Sequence, residues 1–284
     1  MRRFEFYSPK SLGEALRFLS EKGERAKVIA GGTDLIPRLR EGISRPDFVL
    51  NVLEIGELNG IREADHALHV GATVTHTQIA ESPALQRICP SLTQAAASIG
   101  GPLVRNRGTI GGNVVNASPA ADLACALLAL DAEAVLRSEK GSRTVALADF
   151  FTGPGQTVIR SDELLTEVTF RLPKGRGLFH KLGRRQAMSL SIVNVAIFLE
   201  MEGKICRNSR IALGSVAPTP IRCPQAEQML MNKEADPELL SKCAVEAIRA
   251  SKPIDDQRAK AWYRIEAGAV LLRRALTEAA GLQA

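Results

Sequence analysis

Two glycine pairs constrain this chain more than any other feature: Ala30-Gly31-Gly32-Thr33-Asp34-Leu35 and Thr109-Ile110-Gly111-Gly112-Asn113. The first follows the short run Lys27-Val28-Ile29, the second Leu103-Val104 and an Arg-Asn-Arg link. A glycine pair permits positive φ and leaves successive N–H groups uncovered by side chains. A backbone concavity of that kind binds phosphate oxygens. One such loop is ordinarily just a turn. Two of them, about a domain's width apart, predict a ligand with two phosphates gripped from both sides.

At 284 residues the chain is long enough for two compact units. Hydrophobic residues form 45% of it, which supports a real core, and no apolar run reaches the ~18 residues of a membrane span. Met1-Arg2-Arg3-Phe4-Glu5 has no apolar stretch behind its arginines, so no secretory signal is expected. The five scattered cysteines (Cys89, Cys125, Cys206, Cys223, Cys243) read as reduced thiols of a cytoplasmic protein rather than a disulfide frame. The net charge of +6 raises nucleic acid as a ligand, but the basic residues are interleaved with 31 acids and aromatics are only 4% of the chain. A single-strand binder wants stacking platforms beside its basic groove. An anionic small ligand or an acidic partner accounts for the charge equally well.

The periodicities place these loops. Leu12, Ala15, Leu16 and Leu19 share one helical face after a Ser8-Pro9-Lys10-Ser11 entry. Val28-Ile29-Ala30 reads as a buried strand delivering the first loop, Asp34 to Arg40 as a short helix, and Phe48 to Val52 as a strand. A strand pair, Gly60 to Glu63 and Ala67 to Gly71, precedes a helix His76 to Ala80 capped by Thr75, and Pro83 to Ile99 continues the helical pattern. After the second loop, Ser118 is the expected N-cap and Pro119 the first turn of an apolar helix, Ala120 to Leu130. Leu164 to Phe170 alternates as a strand, with the main boundary at Pro173, Gly175 and Gly177. Beyond it come strands at Ile192 to Leu199 and Ser209 to Leu213. Helices follow at Pro237 to Ala250 and Asp256 to Ala279, the last capped by Asp255 or Asp256.

Several chemistries lack their motifs. There is no G-x-G-x-x-G, no P-loop, no His-x-x-x-His pair on a helix, no C-x-x-C and no G-x-S-x-G elbow. What remains is the pair of loops and their neighbours. Thr33 and Thr109 offer hydroxyls. Asn113 and Asn116 either bond a phosphate or ribose or hold the local backbone. Asp122 is either a favourable charge in the first helical turn or a carboxylate that meets a ligand hydroxyl. Lys181, in His180-Lys181-Leu182-Gly183-Arg184-Arg185, either presents an ammonium to an anion or belongs to a solvated basic turn.

Taken together these stretches resemble the flavoprotein (medium) subunit of molybdenum hydroxylases, a family that includes carbon monoxide dehydrogenase medium subunits and the flavin domain of xanthine dehydrogenase-like enzymes. The resemblance is carried by Ala30 to Leu35, Arg105 to Asn113, Asn116 to Asp122, Lys181 to Met188 and Asp256 to Arg264, in that order over essentially the whole chain. It implies an α+β protein with a two-subdomain FAD-binding fold of the vanillyl-alcohol-oxidase type over residues 1–175, subdomains about 1–57 and 58–175. A small α/β domain of the carbon monoxide dehydrogenase flavoprotein type would fill 176–284. Carried over position by position, Val28, Ile29, Ala30, Gly31, Gly32, Thr33, Asp34 and Leu35, with Thr109, Ile110, Gly111, Gly112 and Asn113, would cradle the FAD pyrophosphate. Asn116, Ser118 and Asp122 would add contacts, and Leu164 and Lys181 would lie along the adenine or flavin ends. Ile99 stands where some relatives place an aromatic near the flavin, and Met188 where the family often carries an aromatic. The cysteine-rich iron–sulfur loop of one relative is absent.

The resemblance further implies an electron-transfer role without an acid, base or nucleophile of its own. Electrons would come from a molybdopterin-binding large subunit through a [2Fe–2S] small subunit and leave to NAD⁺, a quinone or oxygen. The alternatives are a non-catalytic FAD-binding scaffold and a self-sufficient flavin oxidase.

Overall fold

The computed structural model describes residues 2–282; Met1 of the amino-terminal reading and residues 283 and 284 of the carboxy-terminal domain lie outside the described residues. The first unit contains β1 (Glu5–Tyr7), α1 (Leu12–Lys22), β2 (Ala26–Ile29), α2 (Leu35–Arg40) and β3 (Phe48–Asn51). Its three strands are parallel in the order β1-β3-β2. Ser11 Oγ accepts the Glu14 N–H at the start of α1, and Leu12, Ala15, Leu16 and Leu19 bury the face their spacing predicts. They pack on Phe48, Leu50, Ile55 and Leu58. Strand β2 is an edge rather than a buried strand, because only β3 pairs with it, and Val28 is 37% exposed.

The second unit is a five-stranded antiparallel sheet in the order β4-β5-β10-β6-β7, from β4 (Ile61–Ala64), β5 (Ala67–Gly71), β6 (Glu133–Ser138), β7 (Gly141–Ala146) and β10 (Leu164–Arg171). Between β5 and β6 run α3 (His76–Glu81), α4 (Pro83–Ile88), α5 (Pro90–Ser98), α6 (Pro102–Arg105), α7 (Ile110–Val115) and α8 (Asp122–Ala129). After β7 come α9 (Leu147–Phe150) and the small hairpin β8 (Phe151–Gly153) and β9 (Gln156–Thr157). The helical stretch from Pro83 to Ile99 divides at Cys89, since Pro90 lacks the N–H that would continue it. Helix α8 is buried at every position, as its composition requires. It starts at Asp122, not after Ser118. Residues 118–121 close a turn first, with the Ala121 N–H on the Ser118 carbonyl at 3.0 Å, and Ala117 sits at φ +47°.

The third unit holds β11 (Arg176–Gly183), β12 (Ser191–Glu202), β13 (Ile205–Gly214) and β14 (Ile221–Arg222) in that spatial order, with α10 (Pro224–Leu230), β15 (Lys233–Glu234), α11 (Pro237–Arg249) and α12 (Ala261–Ala279). Residues 191–199 are all buried because β12 has α12 on one side and α8 on the other. That contact with α8 welds the third unit to the second: Phe179, Ala196 and Ala212 belong to the second unit's core. Helix α12 begins five residues later than its acidic cap predicted. The Asp256 carboxylate instead folds the preceding turn by accepting the N–H groups of Arg258 and Ala259, while Asp255 reaches forward to the Ala261 N–H at 2.7 Å. No helix among the described residues is long and apolar enough to cross a membrane.

Candidate functional site

Strand β2 ends at Ile29 and delivers Ala30 to Asp34 into the open before α2. Gly32 holds φ +71°, a region where a side chain is strained. Gly31 needs its missing side chain for another reason: a Cβ there would lie 1.7 Å from the Arg107 carbonyl oxygen. The first loop therefore lies directly against the chain entering the second. The N–H groups of Gly31, Gly32, Thr33 and Asp34 donate to no protein acceptor among the described residues. Thr33 and Asp34 are exposed, and Leu35 and Ile29 are half-buried beside them.

The second glycine pair is not a mirror image of the first. It lies inside α7, whose start Thr109 caps by accepting the Gly112 N–H at 3.1 Å. Ile110 donates to Val74, Gly111 to Ala72 and Asn113 to Thr109, each carbonyl at 2.9 Å. The expectation of two rows of bare amides thus holds for one loop only. In the second, the sequence T-I-G-G-N reads as a helix start, and its backbone donors are used in closing the helix and tying it to the turn after β5, residues 72–75. What α7 leaves over is Asn113 Oδ1, buried and without a hydrogen-bond partner. Buried polar atoms are nearly always paired, so an orphan in the helix that follows the Arg107–Gly108 contact with the first loop points to a polar ligand. A pyrophosphate-bearing ligand fits the row of backbone N–H donors and the glycine cradle that a Cβ would fill, and Asn113 Oδ1, an acceptor, fits a ligand hydroxyl.

Asp122 and Lys181 are neither a lone helix-terminal charge nor a solvated basic turn. The Asp122 carboxylate is buried; its Oδ2 accepts from Lys181 Nζ at 2.6 Å, and its Oδ1 accepts from Ser191 Oγ at 2.5 Å and Asn194 Nδ2 at 2.7 Å. Lys181, on β11, also donates to the Ser98 carbonyl at 2.9 Å, the end of α5 beside Ile99. The pair fixes the second unit to the third instead of reaching into solvent. Ile99 is half-buried against the main core, and its carbonyl accepts from Arg105. Met188 lies over Gly101 at φ +52°, with its side chain 63% exposed. Leu164 is buried in the first unit's core, where it is a wall, not a polar contact. Ser118 Oγ accepts the Ala120 N–H, and the Asn116 N–H closes α7 on Gly112.

The sequence reading missed Ser191, Asn194 and His76. The signal for Asn194 was present, one amide inside the run Ile192-Val193-Asn194-Val195. His76 opens α3 beneath Gly108; burial and the nearby Arg105 charge push its pKa down to about 4, so the ring is neutral. All five cysteines are unpaired and buried; burial raises the Cys89, Cys223 and Cys243 thiols to about 12. Among the described residues no group of three metal-ligating side chains converges.

Residues 2–174 match the FAD binding domain in molybdopterin dehydrogenase, and residues 178–279 the CO dehydrogenase flavoprotein C-terminal domain. The chain is 33% identical over 280 residues to the carbon monoxide dehydrogenase medium chain of Hydrogenophaga pseudoflava, covering 98% of this chain and 97% of that one. It is 32% identical over 280 residues to the xanthine dehydrogenase FAD-binding subunit of Escherichia coli O157:H7, covering 96% and 95%. Among solved structures, reconstituted CO dehydrogenase from Oligotropha carboxidovorans superimposes with a TM-score of 0.95 at 31% identity, over 99% of both chains. The architecture is thus the two-subdomain FAD-binding fold followed by the small C-terminal flavoprotein domain, and the cofactor is FAD. With its open amide row, its orphaned Asn113 and both family domains in order, the chain belongs to the FAD-binding medium subunits of the molybdenum hydroxylases, an oxidoreductase family.

Proposed function

We propose that this chain is the electron-transfer subunit of a cytoplasmic molybdenum hydroxylase. It takes electrons from the [2Fe–2S] clusters of a small partner subunit, which a molybdopterin-binding large subunit has reduced, and delivers them to NAD⁺, a quinone or oxygen. FAD supplies the redox chemistry at its isoalloxazine ring, and the protein supplies binding, orientation and electrostatics. The observation that carries the reading is the row of free N–H groups from Gly31 to Asp34, packed at Gly31 against Arg107 and Gly108 just ahead of the helix that holds the unpaired Asn113 Oδ1. In this reading those amides hold the pyrophosphate, Gly31 lets the two walls close to contact, and Asn113 Oδ1 accepts from a cofactor hydroxyl. The buried Asp122–Lys181 pair forms the wall between residues 1–175 and 176–284, which we take as the two domains. The chain's own residues bind and orient; none is asked to move a proton.

The test is reconstitution. Purified apo-protein titrated with FAD should saturate at one flavin per chain and turn yellow. Bound flavin should then be reduced either by NADH or by the partner complex with its substrate. A protein that refuses FAD overturns the reading, and a flavin that neither donor reduces marks a scaffold.

A further inference from the structure

Helix α12 buries one face, with Arg264, Gly268, Leu272, Ala275, Leu276 and Ala279 turned inward. A Cβ at Gly268 would meet Ile248 of α11 and Val193 of β12, so this side is closely packed. The outer side carries Trp262, Glu266, Val270 and Arg273, all exposed, and the half-buried Thr277. Their spacings of four, four, three and four residues form a single stripe along the helix. Trp262, the chain's one tryptophan, is 61% exposed and Val270 is 42% exposed. Tyr263 stands beside Trp262, the two rings edge to face with centroids 5.8 Å apart. Exposed apolar surface built on aromatic rings, with a polar rim, is characteristic of a protein–protein contact.

The charges along the stripe decide what covers it. Glu266 and Arg273 lie two turns apart, on either side of Ala269 and Val270. The ion pairs of α12 use Arg264 and Glu278; Glu266, Arg273 and Arg274 take part in none among the described residues. An acidic partner would meet Glu266 in the middle of the stripe, and a basic one would meet both arginines. A parallel second copy would set Glu266 against Glu266 and Arg273 against Arg273. An antiparallel second copy satisfies both signs. With the two-fold axis between Ala269 and Val270, Glu266 faces Arg273 of the other copy, Arg273 faces its Glu266, and Trp262 lies over its Thr277. A two-fold contact requires this kind of self-complementarity. We propose that the chain self-associates through α12, the two helices antiparallel with Val270 at the axis. None of these residues belongs to the candidate cofactor site. A helix of 19 residues is about 28 Å long. Two of them laid side by side cover about 1,000–1,200 Å² in total, the low end of specific interfaces, so the dimer is weak and reversible.

The experiment is sedimentation equilibrium of the purified full-length chain over about 1–300 µM, a range suited to a small interface. Wild type should pass from monomer to dimer within it. Glu266→Arg and Arg273→Glu each turn two attractive pairs into two repulsive ones, so each should raise the dimer Kd about tenfold or more. The double variant, Glu266→Arg with Arg273→Glu, restores opposite signs across the axis and should return Kd to within about threefold of wild type. Loss of the aromatic anchor in Trp262→Ala should weaken the dimer about tenfold as well. The changed side chains are exposed, so melting temperatures should stay close to wild type. Should a charge reversal fail to fold, Trp262→Ala decides. A wild type that stays monomeric throughout the range overturns the proposal, which is the result expected if the face serves a different protein. So does a dimer whose Kd neither the single reversals nor Trp262→Ala changes, or one that the double variant does not restore.

Discussion

Replacing Gly31 by alanine tests the site at its tightest contact. A Cβ at this position would stand 1.7 Å from the Arg107 oxygen, 2.4 Å from its carbon and 2.9 Å from the Gly108 nitrogen, all backbone atoms that cannot rotate aside. Ordinary van der Waals contact begins near 3.4 Å, so the two loops must part by about 1.7 Å. Overpacking of this kind is worth about 1–3 kcal/mol of strain. The same displacement stretches any hydrogen bond from the Gly31 to Asp34 amides to a ligand held between the walls, and each such bond to a charged group is worth about 1.5–3 kcal/mol. Loss of one or two corresponds to an FAD Kd raised by roughly 10- to 10,000-fold. The assay is titration of apo-protein with FAD, followed by the change in flavin fluorescence. Gly13→Ala is the control: nothing lies within 4 Å of a Cβ there, so it should leave FAD binding unchanged and stabilise α1 by up to about 1 kcal/mol. If Gly31→Ala binds FAD as tightly as wild type, contact between the two loops has no part in holding the cofactor and the argument fails.

Three further outcomes are expected. His76 is neutral in the fold with a pKa near 4 and protonates near 6.5 when unfolded, so its stabilising contribution is intact at neutral pH and is lost as pH falls through 6.5 towards 4. Denaturant unfolding should therefore weaken by about 2–3 kcal/mol between pH 7 and 4.5 in wild type, and markedly less in His76→Phe. Asp122→Ala leaves the Lys181 ammonium buried without its carboxylate and should lower stability by about 3–5 kcal/mol. Adding Lys181→Met should recover much of that loss, which thermal melts of the single and double variants would show. The five buried thiols should not react with a thiol reagent in the native protein at pH 8, and all five should react in denaturant; rapid native labelling would contradict the burial that raises Cys89, Cys223 and Cys243 to about 12.

Much of the local backbone around the candidate site was legible because neighbouring residues write it. Gly31-Gly32 after a strand marks a turn or loop, and the apolar helix around Leu123 to Leu128 can only be buried. The errors share one cause. Gly111-Gly112 looks like Gly31-Gly32 in the chain, but the Gly111 amide meets the Ala72 carbonyl, which approaches only when the second unit folds, and the Gly112 amide meets the Thr109 hydroxyl. Ser118 has the chemistry of a helix cap, and loses the role to a turn at Ala121. Val28 has the composition of a core strand residue and is exposed because its strand has a neighbour on one side only.

From its residues alone the chain determines its strand and helix periodicities, the absence of a nicotinamide or nucleotide-triphosphate loop motif, and the positions of both glycine pairs; these are properties of neighbours within a few residues. Which glycine pair keeps free amides was settled only by tertiary structure. So was the partnership of Asp122 with Lys181, Ser191 and Asn194, groups 59 to 72 residues apart in sequence. The reason is physical: a backbone donor is free or used, and a buried charge is paired or not, according to what the rest of the chain brings within about 3 Å of it.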